Sequence, residues 1–273
     1  MFVWACIAPH GGEVIPNLAT PYLDRMAQTR SGMETLGELC RLQSPDTIVV
    51  MTPHGIYDER YIIIGDSDIA FGELDVEKNH VEAYFEMDRN LLFAIAERCN
   101  DEKFPICLVE SKDHDGEAAP FPLDWGCLVP LWFMGAKWED KPKLIVMCPS
   151  RKLPRERLID FGSLLAEVLE QESGRYAFIC SADLGHCHDE SGPYGYNPIS
   201  AAFDQIYCQT VHGDNLEQLI DWSEDWIGEA ATDAYWQTLV LHGMTKVIPM
   251  KPELLTYEAP TYFGMATAEF RRE

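Results

Sequence analysis

The stretch FVWACIAPHGG (residues 2–12) ends an apolar run at Pro-His-Gly, and TIVVMTPHG (residues 47–55) repeats that pattern further along the chain. Short runs rich in Val, Ile, Phe and Cys are typical of buried strands in a parallel sheet. Each proline fixes the backbone after its strand, and each following glycine permits a tight turn. We therefore expect His10 and His54 at the carboxyl ends of two buried strands, where open α/β sheets bind their ligands.

Further apolar runs alternate with helical patterns along the rest of the sequence. The predicted strands are 2–8, 47–52, 104–109, 143–149 and 176–182, with 60–65 as a further candidate. The predicted helices are 32–42, 81–99, 155–171, 201–211 and 229–242. This alternation predicts an α/β fold in a single domain over residues 1–273, with a mostly parallel or mixed central sheet and helices on both faces.

The composition narrows the classes of partner. The 273 residues carry a formal net charge of -24, which repels nucleic acid and anionic membrane surfaces. No apolar stretch reaches the roughly 18 residues that a membrane span needs. The nine cysteines are scattered and contain no C-x-x-C, which is typical of reduced thiols rather than of a disulfide framework. The sequence thus favours a soluble cytoplasmic protein without nucleic-acid or membrane partners.

Two imidazoles held at strand ends can begin a divalent metal site, although loop histidines that merely cap strands are the plainer alternative. A third ligand is available in IGEAATDAYW, where Glu229 and Asp233 are four residues apart and would share one face of a helix that begins near Gly228. Simple acidity at a helix N-terminus also explains these two carboxylates. Two histidines and one carboxylate would form the facial triad of non-haem Fe(II) enzymes.

A second polar segment, SADLGHCHDESG (residues 181–192), follows the strand predicted at 176–182. His186 or His188 is a candidate general base, because a loop imidazole titrates near neutral pH. Asp183 is a candidate for orienting one of these histidines or for contacting a substrate. The alternative is a surface loop with chance histidines.

Several of these segments, in this order, resemble the class III extradiol dioxygenase superfamily. That superfamily includes the catalytic subunit of protocatechuate 4,5-dioxygenase and 2,3-dihydroxyphenylpropionate dioxygenase. The resemblance runs through most of the chain and is carried by IAPHGG, TPHG, SADLGHCH, IGEAATDAYW and the C-terminal TYEAPTYFGMATAEF. The ordered set, rather than any one motif, makes the resemblance specific.

The resemblance implies an Fe(II) ion held by His10, His54 and Glu229, with Asp233 as the alternative carboxylate. Zn(II) is a possible occupant in purified protein. A small catechol-like aromatic substrate and O₂ would meet at the metal, and His186 would be the catalytic base. Because dimers are common among such catalytic subunits, the resemblance also implies a homo-oligomer, most simply a dimer.

One position departs from the family pattern. Ring-cleaving members usually carry D-H-G-x-x-x-P-L, whereas this chain reads DWGCLVPL, so Asp124 is retained as a catalytic candidate and Trp125 replaces the histidine. An indole N–H donates a hydrogen bond but does not exchange a proton near neutral pH. Trp125 would then contact the substrate, and His114 or His188 would replace the missing histidine.

Three functions remain open from the sequence. The first is an Fe(II)-dependent extradiol dioxygenase that opens a catechol-like ring. The second is another metal-dependent enzyme on the same scaffold. The third is a binding or signalling protein without oxygenase activity, as in the Memo-type homologues, and Trp125 is the residue that favours it.

Overall fold

The strands account for most of the apolar runs in the sequence. A computed structural model describes residues 1–272 of the chain. Its strands, in chain order, are β1 Phe2–Ala8, β2 Thr47–Met51, β3 Ile62–Gly65, β4 Ile69–Val76, β5 Asn79–Glu86, β6 Ile106–Val109, β7 Phe121–Pro122, β8 Lys143–Cys148, β9 Tyr176–Ser181, β10 Met250–Glu258 and β11 Met265–Arg272.

Eight of these strands form one mixed sheet in the order β10-β11-β1-β9-β2-β8-β3-β6. Within it β1, β9, β2 and β8 are neighbours and run parallel. Strands β10 and β11 form an antiparallel hairpin at one edge, and β3 pairs antiparallel with β8 near the other. The carboxyl ends of β1, β9 and β2 therefore meet at one place, which is where side chains from distant parts of the chain can converge.

Both faces of this sheet are covered. The helices are α1 Ala27–Gln43, α2 Arg89–Asp101, α3 Trp125–Phe133, α4 Arg155–Gln171, α5 Pro198–His212, α6 Glu224–Ala230 and α7 Tyr235–Val247. One core contains buried residues of α2, α4, α5 and α7, and the other contains buried residues of α1, α3 and the small β5-β4-β7 sheet. The burial of these apolar faces on both sides of the sheet is the main stabilising contribution to the fold.

Helices α4 and α7 approach each other unusually closely because two glycines face each other between them. A Cβ atom placed on Gly162 would overlap the carbonyl oxygen of Val240, and one placed on Gly243 would overlap the carbonyl oxygen of Ile159. The backbones thus pack without intervening side chains, and a methyl group at either position requires the helices to move apart.

The predicted α/β class with a mixed sheet and helices on both faces is confirmed. The helix predicted at 81–99 is wrong in its first part, because residues 79–86 form strand β5 with alternating buried and exposed side chains, and the helix begins only at Arg89. The helix predicted at 229–242 is also wrong, because the chain turns at 231–234 between α6 and α7. Position 273 lies outside the described residues. No helix within residues 1–272 is long and apolar enough to cross a bilayer.

Candidate metal centre

Three adjacent strands supply side chains to one point at the edge of the sheet. His10 follows β1, His54 follows β2, and Asp183 follows β9, which lies between them. Asp233 arrives from the turn that separates α6 from α7. His10, Asp183 and Asp233 are buried, whereas the His54 side chain is 25% exposed. The four side chains therefore meet at the inner end of an open cleft.

The ligand atoms of His10, His54 and Asp233 lie at separations that suit one cation. The two histidine Nε2 atoms are 3.0 Å apart. The Oδ2 atom of Asp233 is 3.0 Å from Nε2 of His54 and 3.4 Å from Nε2 of His10. Ligand atoms bonded at about 2.1 Å to one ion lie roughly 3.0 Å apart at right angles and roughly 3.4 Å apart at tetrahedral angles. The donor set thus fits a divalent metal ion.

Hydrogen bonds fix which nitrogen of His10 faces this point. Its Nδ1 lies 2.9 Å from Oγ of Ser181, and that hydroxyl donates its own proton to the carbonyl oxygen of Gly126 at 2.5 Å. The hydroxyl therefore accepts from Nδ1–H, so in the neutral imidazole the lone pair is on Nε2 and points at Asp233 and His54. Ser181 was not among the sequence-predicted residues, although it stands two positions before Asp183.

The backbone holds the carboxylates of the centre in place. Oδ1 of Asp233 accepts a hydrogen bond from the backbone N–H of Asp183 at 2.9 Å, which leaves Oδ2 for the two histidines. Oδ1 of Asp183 accepts from the backbone N–H of His10 at 3.0 Å, and its Oδ2 lies 3.3 Å from Nε2 of His10. Asp183 therefore contacts His10 through both carboxylate oxygens and lies inside the site rather than at its rim.

The buried charges of this cluster perturb one another. Burial disfavours protonation of His10, but the nearby Asp183 and Asp233 outweigh it and raise the pKa of the imidazole to about 9. Burial also disfavours ionisation of Asp233, yet the adjacent His10 and its hydrogen bond hold the pKa of that carboxyl well below its usual value. Burial raises the pKa of Asp183. In the absence of a metal a proton on His10 neutralises part of this negative charge, and a divalent cation would take its place.

His186 lies beside the three ligand atoms without joining them. Its Nδ1–H donates to the carbonyl oxygen of Leu184 at 2.8 Å, so Nε2 carries the lone pair, and Nε2 is 4.0 Å from Oδ2 of Asp233. The ring stacks on Phe263 with 5.6 Å between centroids. The imidazole is thus oriented towards the centre at a distance that leaves room for a reacting group.

His10, His54, Asp183 and His186 line an open cavity of about 460 Å³, and Asp233 lies beneath them without lining it. Four of its fourteen lining residues carry Trp, Tyr or Phe rings, and Arg25 and Glu13 form an ion pair at 3.1 Å among the others. The aromatic walls are contributed by Trp125, Tyr194, Tyr262 and Phe263. The last two come from the C-terminal segment that carried part of the resemblance, whereas nothing in the sequence marked Tyr194 or Arg25. A flat apolar molecule fits such walls.

Trp125 and Asp124 have different positions relative to the cavity. The indole of Trp125 is 47% exposed and lies over the ring of His54, with 4.5 Å between centroids. Asp124 does not line the cavity: its Oδ1 accepts from Oγ1 of Thr52 at 2.7 Å, and that oxygen accepts from the backbone N–H of His54 at 3.2 Å. Asp124 therefore supports the turn that carries His54, and its catalytic role stays a prediction.

His188 points away from the metal centre into a second buried cluster. Its Nε2 donates to Oδ2 of the fully buried Asp204 at 2.7 Å, and the hydroxyl of Tyr257 donates to the same oxygen at 2.8 Å. The backbone N–H of Gly185 donates to Oδ1 of Asp204 at 2.7 Å. The Asp204 carboxylate thus anchors the loop between Asp183 and His188, and the prediction that His188 is catalytic is not supported by this placement.

Two sequence-predicted residues lie apart from the site. The Glu229 side chain is exposed in the last turn of α6, before the chain turns, and it is absent from the group of close ligand atoms, so the geometry favours Asp233 over Glu229. His114 has 89% of its side chain exposed in the loop after β6, the edge strand farthest from β1 and β9. Its substrate contact therefore stays a prediction, to which this placement lends no support.

Comparison with known proteins agrees with the fold. Residues 5–267 match the family model described as the catalytic LigB subunit of aromatic ring-opening dioxygenase. The chain belongs to this family. LigB-family catalytic subunits belong to the superfamily that the ordered sequence motifs resemble, so that predicted resemblance is confirmed.

One curated protein and one solved structure are similar to this chain. Protein CA_C1420 of Clostridium acetobutylicum is 26% identical over 268 residues, which cover 98% of this chain and 56% of that protein. The chain thus spans about half the length of this curated relative. The crystal structure of the uncharacterized protein JW3007 from Escherichia coli K12 superimposes with a TM-score of 0.62 at 16% identity, covering 98% of this chain and 99% of that one. This second likeness supports the shared fold.

Proposed function

We propose that the chain is an Fe(II)-dependent extradiol dioxygenase that opens a small catechol-like ring with O₂. The observation that carries the proposal is the convergence of His10, His54 and Asp233, whose ligand atoms lie 3.0–3.4 Å apart at the inner end of an aromatic-walled cavity. Membership of the LigB family supports the same chemistry. In this proposal Asp233 replaces Glu229 as the carboxylate ligand.

Fe(II), when bound, would supply a Lewis acid that favours the ionised catechol and a redox centre between the substrate and O₂. Two neutral imidazoles and one carboxylate leave open coordination positions, which is the ligand set of such oxygenases. The proton on His10 in the metal-free protein must leave when the ion binds, and Ser181 keeps the imidazole in the required tautomer through its contact with Nδ1.

The other residues would bind the ring and move its protons. His186 has its free Nε2 towards the centre, so it is placed to accept the proton of a catechol hydroxyl. Trp125 and Phe263 offer flat faces on the cavity wall, which would align the ring and exclude water from it. Arg25, in the same lining, is available to a polar substituent of the substrate if its ion pair with Glu13 opens.

The replacement of the family histidine by Trp125 limits proton transfer. Loss of one general acid typically lowers a rate by about 10²–10⁴-fold. His114 is too exposed to replace it, and His188 is held by Asp204. Any protonation of the opening ring would therefore fall to His186 or to solvent, so we expect slow turnover compared with relatives that keep the histidine.

The test is oxygen uptake by protein loaded anaerobically with Fe(II) and then mixed with a panel of catechols and aminophenols. We expect one O₂ consumed per ring and a yellow ring-opened product, and we expect His186→Ala to lose most of the rate while His114→Ala retains it. If no compound causes oxygen uptake while elemental analysis confirms bound iron, the oxygenase proposal is overturned. The proposal of a metal site would still stand.

The exposed indole over His54 favours a second candidate, a metal-binding homologue without oxygenase activity. The two candidates differ in the effect of Trp125→His. A dioxygenase limited by proton delivery should turn over faster in this variant, whereas a binding protein should show no ring opening before or after the change. Iron content must be equal in both proteins for the comparison to be valid.

A further inference from the structure

A separate cavity of about 350 Å³ lies where the N-terminus of α4 meets α6 and the start of α7. It shares no lining residue with the metal cavity. Cationic side chains come from the segment that enters α4, and apolar and aromatic side chains come from the opposite helices. Its lining comprises Arg151, Lys152, Leu153, Pro154, Arg155, Glu224, Ile227, Gly228, Tyr235 and Trp236.

The guanidinium of Arg151 is fixed in this cavity but is largely free to bind a ligand. It lies over the indole of Trp236, 4.8 Å from the ring centroid, and one of its nitrogens donates to the carbonyl oxygen of Pro53 at 3.1 Å. A guanidinium has five N–H donors. Within residues 1–272 no carboxylate lies within ion-pair distance of it, since the arginine ion pairs of that part of the chain involve other arginines.

Arg155 has the same arrangement on the neighbouring side. Its guanidinium lies over the ring of Tyr235 at 5.2 Å, and one nitrogen donates to the carbonyl oxygens of Ile220 and Trp222. It too has no carboxylate partner among the described residues. Two arginines are thus held in place by aromatic faces and backbone carbonyls, which preserves their charge and restricts their rotamers before any ligand arrives.

The charge of this cavity is opposite to that of the whole chain. The chain has 45 acidic and 21 basic residues, yet the cavity lining contains three basic side chains and one acidic one, Glu224. Cations in so acidic a protein would ordinarily be neutralised by neighbouring carboxylates. The lining therefore offers a small anion a locally favourable position in a chain whose net charge is negative.

The lining also restricts which anion fits. Guanidinium groups bind carboxylates through paired N–H donors, and the half-buried ring of Trp236 offers apolar contact to a flat body, while the buried Tyr235 and Ile227 complete the apolar side of the lining. Glu224 disfavours a second negative charge. We propose that this cavity binds a small organic monocarboxylate with a flat apolar body, at a site distinct from the metal centre and independent of the proposed dioxygenase activity.

The position of this site gives it contact with two of the three segments that carry the close ligand atoms, those of His54 and Asp233. Arg151 is hydrogen-bonded to the residue that precedes His54, and Tyr235 and Trp236 follow Asp233 closely in the chain. A ligand seated between Arg151 and Trp236 would thus restrain the backbone behind the metal site without entering its cavity.

The test is calorimetric titration of metal-free protein with benzoate, with benzyl alcohol as the uncharged analogue of the same shape and inorganic phosphate as the anion without an apolar body. We expect saturable binding of benzoate and at least about tenfold weaker binding of the other two. Arg151→Gln should weaken benzoate binding about tenfold or more.

Three further variants make the result decisive. Arg41→Gln removes an exposed arginine elsewhere and should leave benzoate binding unchanged, whereas Trp236→Leu should weaken it if the aromatic wall contributes. Arg25→Gln reports on binding in the metal cavity. Three results would each overturn the proposal: no saturable binding of benzoate, equal binding of benzyl alcohol or phosphate, or a loss of benzoate binding in Arg25→Gln but not in Arg151→Gln. Circular dichroism establishes that each variant is folded.

Discussion

The affinity of the metal-free protein for Zn(II) should depend steeply on pH, because the ion and a proton compete for the same nitrogen. His10 is buried between Asp183 and Asp233, which raise the pKa of its imidazole to about 9 against the effect of burial. Metal binding requires the lone pair on Nε2, so below that pH each ion must displace one proton from His10. The apparent affinity should therefore rise with pH until His10 is deprotonated in the metal-free state.

The magnitude follows from the pKa. Displacement of one proton changes the apparent affinity about tenfold per pH unit, or about 1.4 kcal/mol. Between pH 7 and pH 9 the Zn(II) affinity should thus increase by about 50-fold, because about half of His10 is still protonated at pH 9, and the increase should level off above that pH. Asp183→Asn removes one of the two carboxylates that hold the proton, so in this variant the affinity should level off at a lower pH.

The assay is competition between the protein and a chromophoric zinc chelator at a series of pH values, after correction for protonation of the chelator itself. Calorimetry in two buffers of different ionisation enthalpy gives the number of protons released per ion. An affinity that stays flat between pH 7 and pH 9, with no proton release at pH 7, would refute the argument, because it would mean that His10 is already neutral in the metal-free protein.

Three other predictions concern stability. The raised pKa of His10 stabilises the metal-free fold, and this contribution is fully present below the pKa of about 6.5 that histidine has in the unfolded chain. It should be lost as pH rises through about 9, so the free energy of unfolding measured with urea should fall between these two pH values. No fall between them would contradict this prediction. Asp204→Asn leaves one buried donor and two partly buried donors facing an amide and should lower the free energy of unfolding by about 2–4 kcal/mol. A change below about 0.5 kcal/mol would mean that the cluster is dispensable. Gly162→Ala should lower the free energy of unfolding by about 1–3 kcal/mol, because the added methyl group meets the α7 backbone. Gly228 has open space around it, so Gly228→Ala is the matched control and is expected to be neutral or slightly stabilising. Equal effects of the two substitutions would refute the packing argument.

The two histidines were predictable from the sequence because the signal for each is local. An apolar run followed by Pro-His-Gly specifies a buried strand, a stop and a tight turn within about ten residues. Their proximity depends on a non-local fact, since β9 inserts between β1 and β2 and brings Asp183 and Ser181 with it. The sequence motif after β9 was visible, but the order of strands in the sheet was not.

The sequence favoured Glu229 as the carboxylate ligand, with Asp233 as the alternative, and the geometry favours Asp233 for a specific reason. Helix α6 ends at Ala230, and Ala231 takes a left-handed conformation with φ of 51°, a position where glycine is the usual signal. An alanine there conceals the turn, so one continuous helix was predicted. The turn separates the two carboxylates, and only Asp233 is carried back towards the histidines.

Residues 79–86 are a second segment whose sequence fits both a helix and a strand. The sequence NHVEAYFE has buried residues at alternate positions in the structure, but its apolar residues also match a helical spacing when read together with those that follow. Strand β5 pairs with β4, which is only a two-residue turn away, and this pairing favours a strand over a helix.

The Asp204 cluster was not predictable from the sequence either. It joins residues from α5, β10 and the loop after β9, and no local pattern predicts such a contact.

The most direct test of the central claim is the metal content of wild-type protein and of two single variants, measured by elemental analysis after loading with Fe(II) or Zn(II) and removal of the excess. The arrangement of His10, His54 and Asp233 predicts about one ion per chain in the wild type and in Glu229→Ala, and a large loss in Asp233→Ala. Retention of the ion by Asp233→Ala together with its loss from Glu229→Ala would contradict the account.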